Sequence, residues 1–179
     1  MDQTSASKAV LAQLRRAVIS HGGQFGAVYQ KTFVPETYYR ADKKLPDTEM
    51  TSAERAVHAA MTLYAVHQQS LYEPMHDNGG NRPGAAFALL RSEGMSEQAV
   101  RRRFDSLLMA GNFAELSQHL RTLVRLLRDS SISMDYGRLT RDLYEWQFDF
   151  AATGVRIQWS RDFENTLFQN ADDEKEDTE

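Results

Sequence analysis

The sequence predicts an all-α protein, folded as a compact helical bundle of about six or more helices. Apolar residues recur every three or four positions over several long stretches, which is the period of an amphipathic helix. Capping residues stand in front of most of these stretches, and no segment alternates in a way that offers a partner strand. We expect a single helical domain over residues 1–170 and a disordered acidic tail over residues 171–179.

The N-terminal part is expected to contain one helix followed by short helical turns. Apolar positions line one side from about Ser5 to Ser20, and the pair Gly22 and Gly23 favours a helix end just afterwards. Residues 24–50 mix aromatic side chains with prolines and charges. This segment is therefore expected to form turns and loops that wrap around the bundle.

A capping box predicts the next helix. Thr51 and Glu54 have the required spacing, and apolar positions continue to about Leu71. Residues 72–84 are rich in glycine and proline and lack the GK[ST] ending of a phosphate-binding loop, so a flexible surface loop is predicted. Pro83 is expected to be the first residue of a short helix.

Residues 95–130 predict a hairpin of two helices, and the functional hypotheses depend on it. Ser96 and Asn112 are N-cap candidates, Gly111 has the position of a left-handed residue after a helix, and the linker is about two residues. Both helices carry an apolar face and an arginine-bearing outer face. The outer arginines are Arg101, Arg102 and Arg103 in the first helix and Arg121, Arg125 and Arg128 in the second.

The last part of the domain is also predicted to be helical. Asp135 is an N-cap candidate, Gly154 is expected to interrupt the helical pattern, and residues 155–168 return to helical spacing. Asp142, Glu145 and Asp149 are expected to form a solvated face rather than an acid–base site. Seven side chains are expected in the core: Phe104, Leu107, Leu120, Leu123, Leu143, Trp146 and Trp159.

Charge and composition exclude several classes of protein. There is no cysteine, none of the five histidines forms an HExxH motif, and no nucleotide-binding loop is present, so neither a cofactor nor a metal is expected. The net charge is −4, yet the last nine residues hold six carboxylates and one lysine. Residues 1–170 are therefore near neutral. Without an apolar span or a signal peptide, we expect a cytoplasmic protein without membrane association.

The order of motifs resembles the CasB family, the small subunit of the type I-E CRISPR surveillance complex called Cascade. The matching segments fall between about Thr51 and Phe168. They are LYAVHQQS, RPGAAFALLRSEG, VRRRFDSLL, FAELSQHLRTLVRLL, MDYGRLTRDLYEWQ and WSRDF. The resemblance implies an all-helical, non-catalytic subunit present in two copies. Its implied partners are the other Cascade subunits, a second copy of itself, the guide RNA and the target DNA with its displaced strand.

The resemblance also implies which residues contact nucleic acid. Matching basic positions are Arg102, Arg103, Arg121 and Arg156. Helical geometry or loop position adds Arg55, Arg82, Arg101 and Arg125. The alternative hypothesis is a helical interaction module whose arginine face docks an acidic protein without binding nucleic acid; a hydrolytic or phosphotransfer enzyme is a third.

Overall fold

The computed structural model describes residues 5–16, 25–35 and 49–176, and in these ranges the chain is built from helices. The predicted all-α class is confirmed, because these ranges contain eight helices and no β-strand. The helices are α1 (Ser5–Arg16), α2 (Phe25–Thr32), α3 (Ser52–His67), α4 (Pro83–Leu89), α5 (Glu97–Leu108), α6 (Phe113–Asp129), α7 (Tyr136–Trp146) and α8 (Asp149–Glu176). The predicted continuation of α1 to Ser20, and most of the segment 24–50, lie outside the described residues.

Capping hydrogen bonds confirm four of the predicted helix starts. In each one, a polar side chain accepts the backbone N–H three residues ahead, which satisfies a donor that has no partner inside the helix. The pairs are Thr51 with Glu54, Ser96 with Ala99, Asn112 with Glu115 and Asp135 with Arg138. Pro83 is the first residue of α4, as predicted.

The main core is formed by residues of α3 to α8 and of the segments between them. All seven side chains predicted to be buried are in it. A smaller cluster of Leu14, Val28 and Ala65 attaches α1 and α2 to α3. The hairpin of α5 and α6 therefore packs through its apolar faces, while its outer faces are left to solvent.

The turn of the α5–α6 hairpin differs from the prediction at Gly111. Among the described glycines a positive φ occurs only at Gly79 and Gly94, so the expected left-handed conformation at Gly111 is wrong. The reason lies in the start of α6 rather than in the end of α5. The Gly111 N–H donates to Glu115 Oε2 over 2.8 Å, which holds the residue in the entry to α6.

Helix α8 runs without a break through Gly154, where an interruption was predicted. A glycine inside a helix costs about 1 kcal/mol relative to alanine. Burial of Ala152, Val155 and Trp159 on the inner side of α8 outweighs that cost.

Helix α8 also continues to Glu176, so residues 171–176 of the segment expected to be disordered are helical. Propagating an existing helix needs no new nucleation.

Helices α4 and α8 approach each other closely at Gly84. A Cβ atom on Gly84 would lie 2.1 Å from the backbone oxygen of Trp159, a distance that no side chain tolerates. The Trp159 indole, almost fully buried, donates through Nε1 to Asp142 Oδ2 over 2.7 Å. One tryptophan thus connects α4, α7 and α8.

The burial of Asp142 contradicts the prediction that Asp142, Glu145 and Asp149 form a solvated face. The Asp142 side chain is buried, with only 3% of the residue exposed, and its other oxygen lies 3.3 Å from Arg138 Nε. Burial raises the pKa of Asp142, and the hydrogen bond from Trp159 and the charge of Arg138 oppose that rise. Glu145 and Asp149, in contrast, lie in half-buried and exposed positions, respectively.

The segment 72–81 is not the flexible loop that its composition predicted. Its backbone is bonded to the connection between α6 and α7 at several points. These are Met134 N–H to Met75 O, Asp77 N–H to Met134 O, Asp135 N–H to Asn81 O and Gly79 N–H to Asp135 Oδ2. The segment is therefore held in place as a strap, although most of its side chains face solvent.

Two histidines attach this strap to the core through Tyr136. The Tyr136 N–H donates to His76 Nδ1 at 3.2 Å, and the Tyr136 hydroxyl lies 3.0 Å from His67 Nδ1. His67 is fully buried. Burial lowers the pKa of His67 to about 4, because it disfavours the charged imidazole. The nearby Leu127 and Ile132 carbonyls act in the opposite direction and raise the pKa, but by less.

We predict that Gly84→Ala destabilises the fold by roughly 1–3 kcal/mol or more, because the new methyl group forces α4 away from α8. The matched control is Gly154→Ala on α8, where an added Cβ meets nothing within 4 Å. That change should raise the free energy of unfolding by about 0.5–1 kcal/mol. Urea denaturation measures both, and equal stabilities for the two variants would contradict the close α4–α8 contact.

We also predict a loss of stability in mild acid that depends on His67. The folded state holds the pKa of His67 below its unfolded value of 6.5. The free energy of unfolding therefore keeps its full contribution from neutral His67 above pH 6.5. It falls as the pH drops towards 4, by at most about 1.4 kcal/mol per pH unit. His67→Gln removes the titrating group and should flatten this part of the profile. Urea denaturation at pH 7.5 and 5.0 tests it; parallel profiles for the two proteins would disprove the assignment.

Candidate nucleic-acid interface

The outer side of the α5–α6 hairpin carries a shallow cavity lined by basic and hydroxyl side chains. Its volume is about 200 Å³. Its polar lining consists of Arg102, Arg103, Ser106, His119 and Thr122. We call this surface, together with Arg125 on the next turn of α6, the hairpin arginine face. It brings together two regions that the sequence could place only on separate helices.

Three arginines of this face are open to solvent. Arg102 and Arg125 are exposed, and neither side chain forms a hydrogen bond or ion pair with the described part of the chain. Arg103 is also exposed, and one of its terminal nitrogens donates to the Ala99 carbonyl at 3.0 Å. Their positive charges are therefore not neutralised by any described carboxylate.

Arg101 also belongs to α5, but its guanidinium is already paired with two carboxylates. Its Nε donates to Glu97 Oε1 at 2.8 Å, and its two terminal nitrogens donate to the two oxygens of Glu164 on α8. These two carboxylates raise the pKa of Arg101, and the hydrogen bonds that Arg101 donates to Glu164 have the largest effect. The residue therefore ties α5 to α8, and its charge is compensated within the molecule.

Arg121 was predicted to lie on the exposed row of α6, but the structure buries it partly. Its Nη2 donates to the Arg15 carbonyl at 3.1 Å, in the last turn of α1. Burial, and to a smaller extent the charge of Arg125, lower the pKa of Arg121. The side chain satisfies a carbonyl that α1 leaves without a helical partner, so it attaches the N-terminal helix to the hairpin.

Arg128, the third member of the predicted row, is also partly buried. Its Nε and Nη2 both donate to Asp129 Oδ1, over 3.0 and 2.6 Å. The predicted row of three exposed guanidiniums is therefore wrong. Of its members, only Arg125 is exposed without a partner among the described residues.

The remaining candidates lie away from the hairpin arginine face. Arg156 caps the end of α5 through hydrogen bonds to the Leu108 and Ala110 carbonyls. Arg55 and Arg156 both line a second cavity, which lies at the turn between α5 and α6. Arg82 precedes α4 and lies 3.7 Å from Asp162, with about half of its side chain exposed. The structure thus places only three of the eight predicted residues, Arg102, Arg103 and Arg125, on the hairpin arginine face.

Sequence reasoning missed the neutral part of the candidate interface. Ser106 follows Arg102 by one helical turn and Thr122 follows His119 by three residues, so helical spacing could have assigned them to the outer faces. The meeting of these two faces depends on how α5 packs against α6. No local pattern records that packing.

Two further observations concern the described residues only. They contain no group of three or more His, Cys, Asp or Glu side chains that could hold a metal ion. None of their helices combines the length and apolar character needed to cross a bilayer.

Comparisons with known proteins agree on one family. The family model described as CRISPR-associated protein Cse2 matches residues 10–163. CasB from Thermobifida fusca is 33% identical, with a TM-score of 0.69 over 89% of this chain and 85% of that chain. A search of curated proteins finds no match.

More distant structures share the fold. A chain of a CRISPR RNA-guided surveillance complex is 22% identical, with a TM-score of 0.69 over 92% of this chain and 87% of its own. CasB from M. ruber is 19% identical, with a TM-score of 0.59 over 95% of this chain and 90% of its own. The helical arrangement is thus retained where little of the sequence is.

We predict that the arginines differ in their effect on stability. Arg102→Ala should change the free energy of unfolding by no more than about 0.5 kcal/mol, as at ordinary surface positions. Arg121→Ala removes a charged donor from a helix-end carbonyl and should cost about 1–2 kcal/mol. Urea denaturation of both variants decides this, and equal losses would show that the contact from Arg121 to Arg15 contributes nothing.

Proposed function

Because the chain belongs to the CRISPR-associated Cse2 family, we propose that it is a non-catalytic subunit of a CRISPR RNA-guided surveillance complex. It assembles with the other Cascade subunits and a second copy of itself. In that assembly the hairpin arginine face holds the sugar–phosphate backbone of the guide RNA–target DNA or of the displaced strand.

The observation that carries the proposal is the difference between paired and unpaired arginines. Arg101 and Arg141 each pair with carboxylates of the described chain. Arg102 and Arg125 do not, although both are exposed and stand on the two helices that meet at one cavity. A free guanidinium is planar and can donate two parallel hydrogen bonds to two oxygens of a phosphate group, and phosphate contacts release bound counterions.

The chemistry of the face favours the backbone over the bases. Arg103, Ser106, His119 and Thr122 surround a shallow cavity rather than a ridge that could enter a groove. In RNA-guided systems base pairing with the guide selects the sequence, so a protein subunit needs to recognise only shape and charge. The hairpin arginine face suits this sequence-independent task.

The charge balance favours binding within an assembly rather than by the isolated subunit. The whole chain carries a net charge of −4. A few free arginines on such a chain provide a weak attraction for DNA by themselves. Partner subunits that hold the nucleic acid nearby raise its effective concentration, so the arginine–phosphate contacts form more often.

We predict that the double variant Arg102→Ala/Arg125→Ala weakens target binding by the assembled complex equally for all target sequences. Each lost phosphate contact should lower the slope of log K against log salt by about 0.9 for duplex DNA. The measurement is a titration of double-stranded target at several salt concentrations. Arg141→Ala, an exposed and paired arginine on α7, is the matched control and should leave the slope unchanged.

Correct assembly has to be confirmed for both variants by co-purification with the partner subunits and the guide RNA. A fully assembled double variant with unchanged affinity and unchanged salt slope would reject the proposal. It would favour the alternative in which the arginine face contacts protein only.

A further inference from the structure

A second cavity, of about 390 Å³, lies at the turn of the α5–α6 hairpin. Its walls come from α3, from the turn itself, from the end of α7 and from the start of α8. Arg55 and Arg156 line it together with Gln147, Asp149 and the aromatic residues Phe113 and Trp146. We call it the turn pocket.

The Arg55 guanidinium is held in a fixed position in the turn pocket. Its Nε donates to Gln147 Oε1 at 2.7 Å, and Nη2 donates to Ser52 Oγ at 3.2 Å. The Gln147 amide is itself anchored, because its Nε2 donates to the carbonyls of Ser52 and Leu143. The arginine is therefore ordered before any ligand arrives, which reduces the entropy lost on binding.

Arg156, on α8, is also held in a fixed position. Its Nε donates to the Leu108 carbonyl at 2.9 Å and its Nη2 to the Ala110 carbonyl at 3.1 Å, while the guanidinium lies 5.3 Å from the centre of the Trp146 ring. Carbonyls satisfy donors but do not cancel the charge. Neither Arg156 nor Arg55 forms an ion pair within the described chain, although Asp149 lines the same pocket.

Two exposed apolar side chains are close in sequence to residues that line the pocket. Met109, two residues before Gly111 in the turn, is 82% exposed, and Phe150, next to Asp149, is 85% exposed. Methionine, aromatic residues and arginine are the residue types enriched where proteins meet proteins. Trp146 has only 8% of its surface exposed, so it offers no open ring face for a nucleic-acid base to stack on.

We propose that the turn pocket is a docking site for a neighbouring protein subunit and receives an aspartate or glutamate side chain of that subunit. The carboxylate binds between the Arg55 and Arg156 guanidiniums, and apolar residues beside it cover Met109 and Phe150. This inference rests on the proposed function, since it requires the assembled surveillance complex, but it concerns a protein contact away from the hairpin arginine face.

The absence of cysteine from the sequence allows a site-specific test. Met109→Cys and Gln118→Cys are each labelled with a maleimide–benzophenone probe, assembled into the purified complex, irradiated and mapped by mass spectrometry. Gln118 is exposed and stands one turn before Thr122, beside the hairpin arginine face. The Met109 probe should link to a subunit peptide with Asp or Glu within a few residues, and the Gln118 probe to nucleic acid.

The two probes separate the two proposals. A Met109 probe that links to nucleic acid, to a peptide without acidic residues, or to nothing overturns the docking site. A Gln118 probe that links only to protein counts against the nucleic-acid interface and leaves the docking site standing.

A charge test uses Gly111, where an added Cβ would meet only Glu115 Oε2, at 3.6 Å. Gly111→Glu places a competing carboxylate at the pocket, whereas Gly111→Gln adds the same bulk without the charge. The purified complex should retain at least ten times less of the Glu variant than of the Gln variant. Both variants should unfold at similar temperatures. Equal retention would overturn the proposal.

Discussion

The bundle depends on the contact that Trp159 makes with two other helices. Its backbone oxygen leaves room only for a glycine at position 84, and its indole is hydrogen bonded to the buried carboxylate of Asp142. These contacts hold α4 and α7 against α8. Four residues further along α8, the Phe163 ring stacks on Phe104 of α5, with centroids 4.1 Å apart and planes nearly parallel. The position of the hairpin, and so the direction in which its outer face points, follows from the position of α8.

Within this frame the arginines have three different roles. Some are neutralised, as Arg101 is by Glu97 and Glu164. Others hold helix ends, as Arg121 does for α1 and Arg156 for α5. Arg102 and Arg125 do neither among the described residues, which makes them the strongest candidates for an external anion. Counting arginines on a helical wheel would have given all of them equal weight.

Much of the fold could be predicted because its signals are local. Caps such as Thr51 and Asp135 act over three residues, and the apolar spacing in α5 and α6 identifies the core positions directly. The ordered strap at 72–81 could not be predicted, since its partners lie more than fifty residues away. Amino-acid composition indicates how polar a segment is, but it does not indicate which residues the segment forms hydrogen bonds with.

The candidate site was predictable in the same limited way. Helical spacing places Arg102 and Arg125 on outer faces, but it cannot show that Arg121 reaches the end of α1 or that Asp142 faces Trp159. Even the ion pair of Glu97 with Arg101, four residues apart, is only half of a contact that Glu164 completes. Long side chains take part in tertiary contacts that sequence spacing does not record.

Chemical modification of arginine tests, without a substitution, whether the free guanidiniums of the hairpin contact nucleic acid. The assembled complex is treated with phenylglyoxal before and after double-stranded target is bound, and the modified residues are quantified by mass spectrometry. We expect Arg102 or Arg125, or both, to become protected when target binds, while the exposed Arg141 on α7 keeps its reactivity. Unchanged modification of both Arg102 and Arg125 in a target-loaded complex would contradict this expectation.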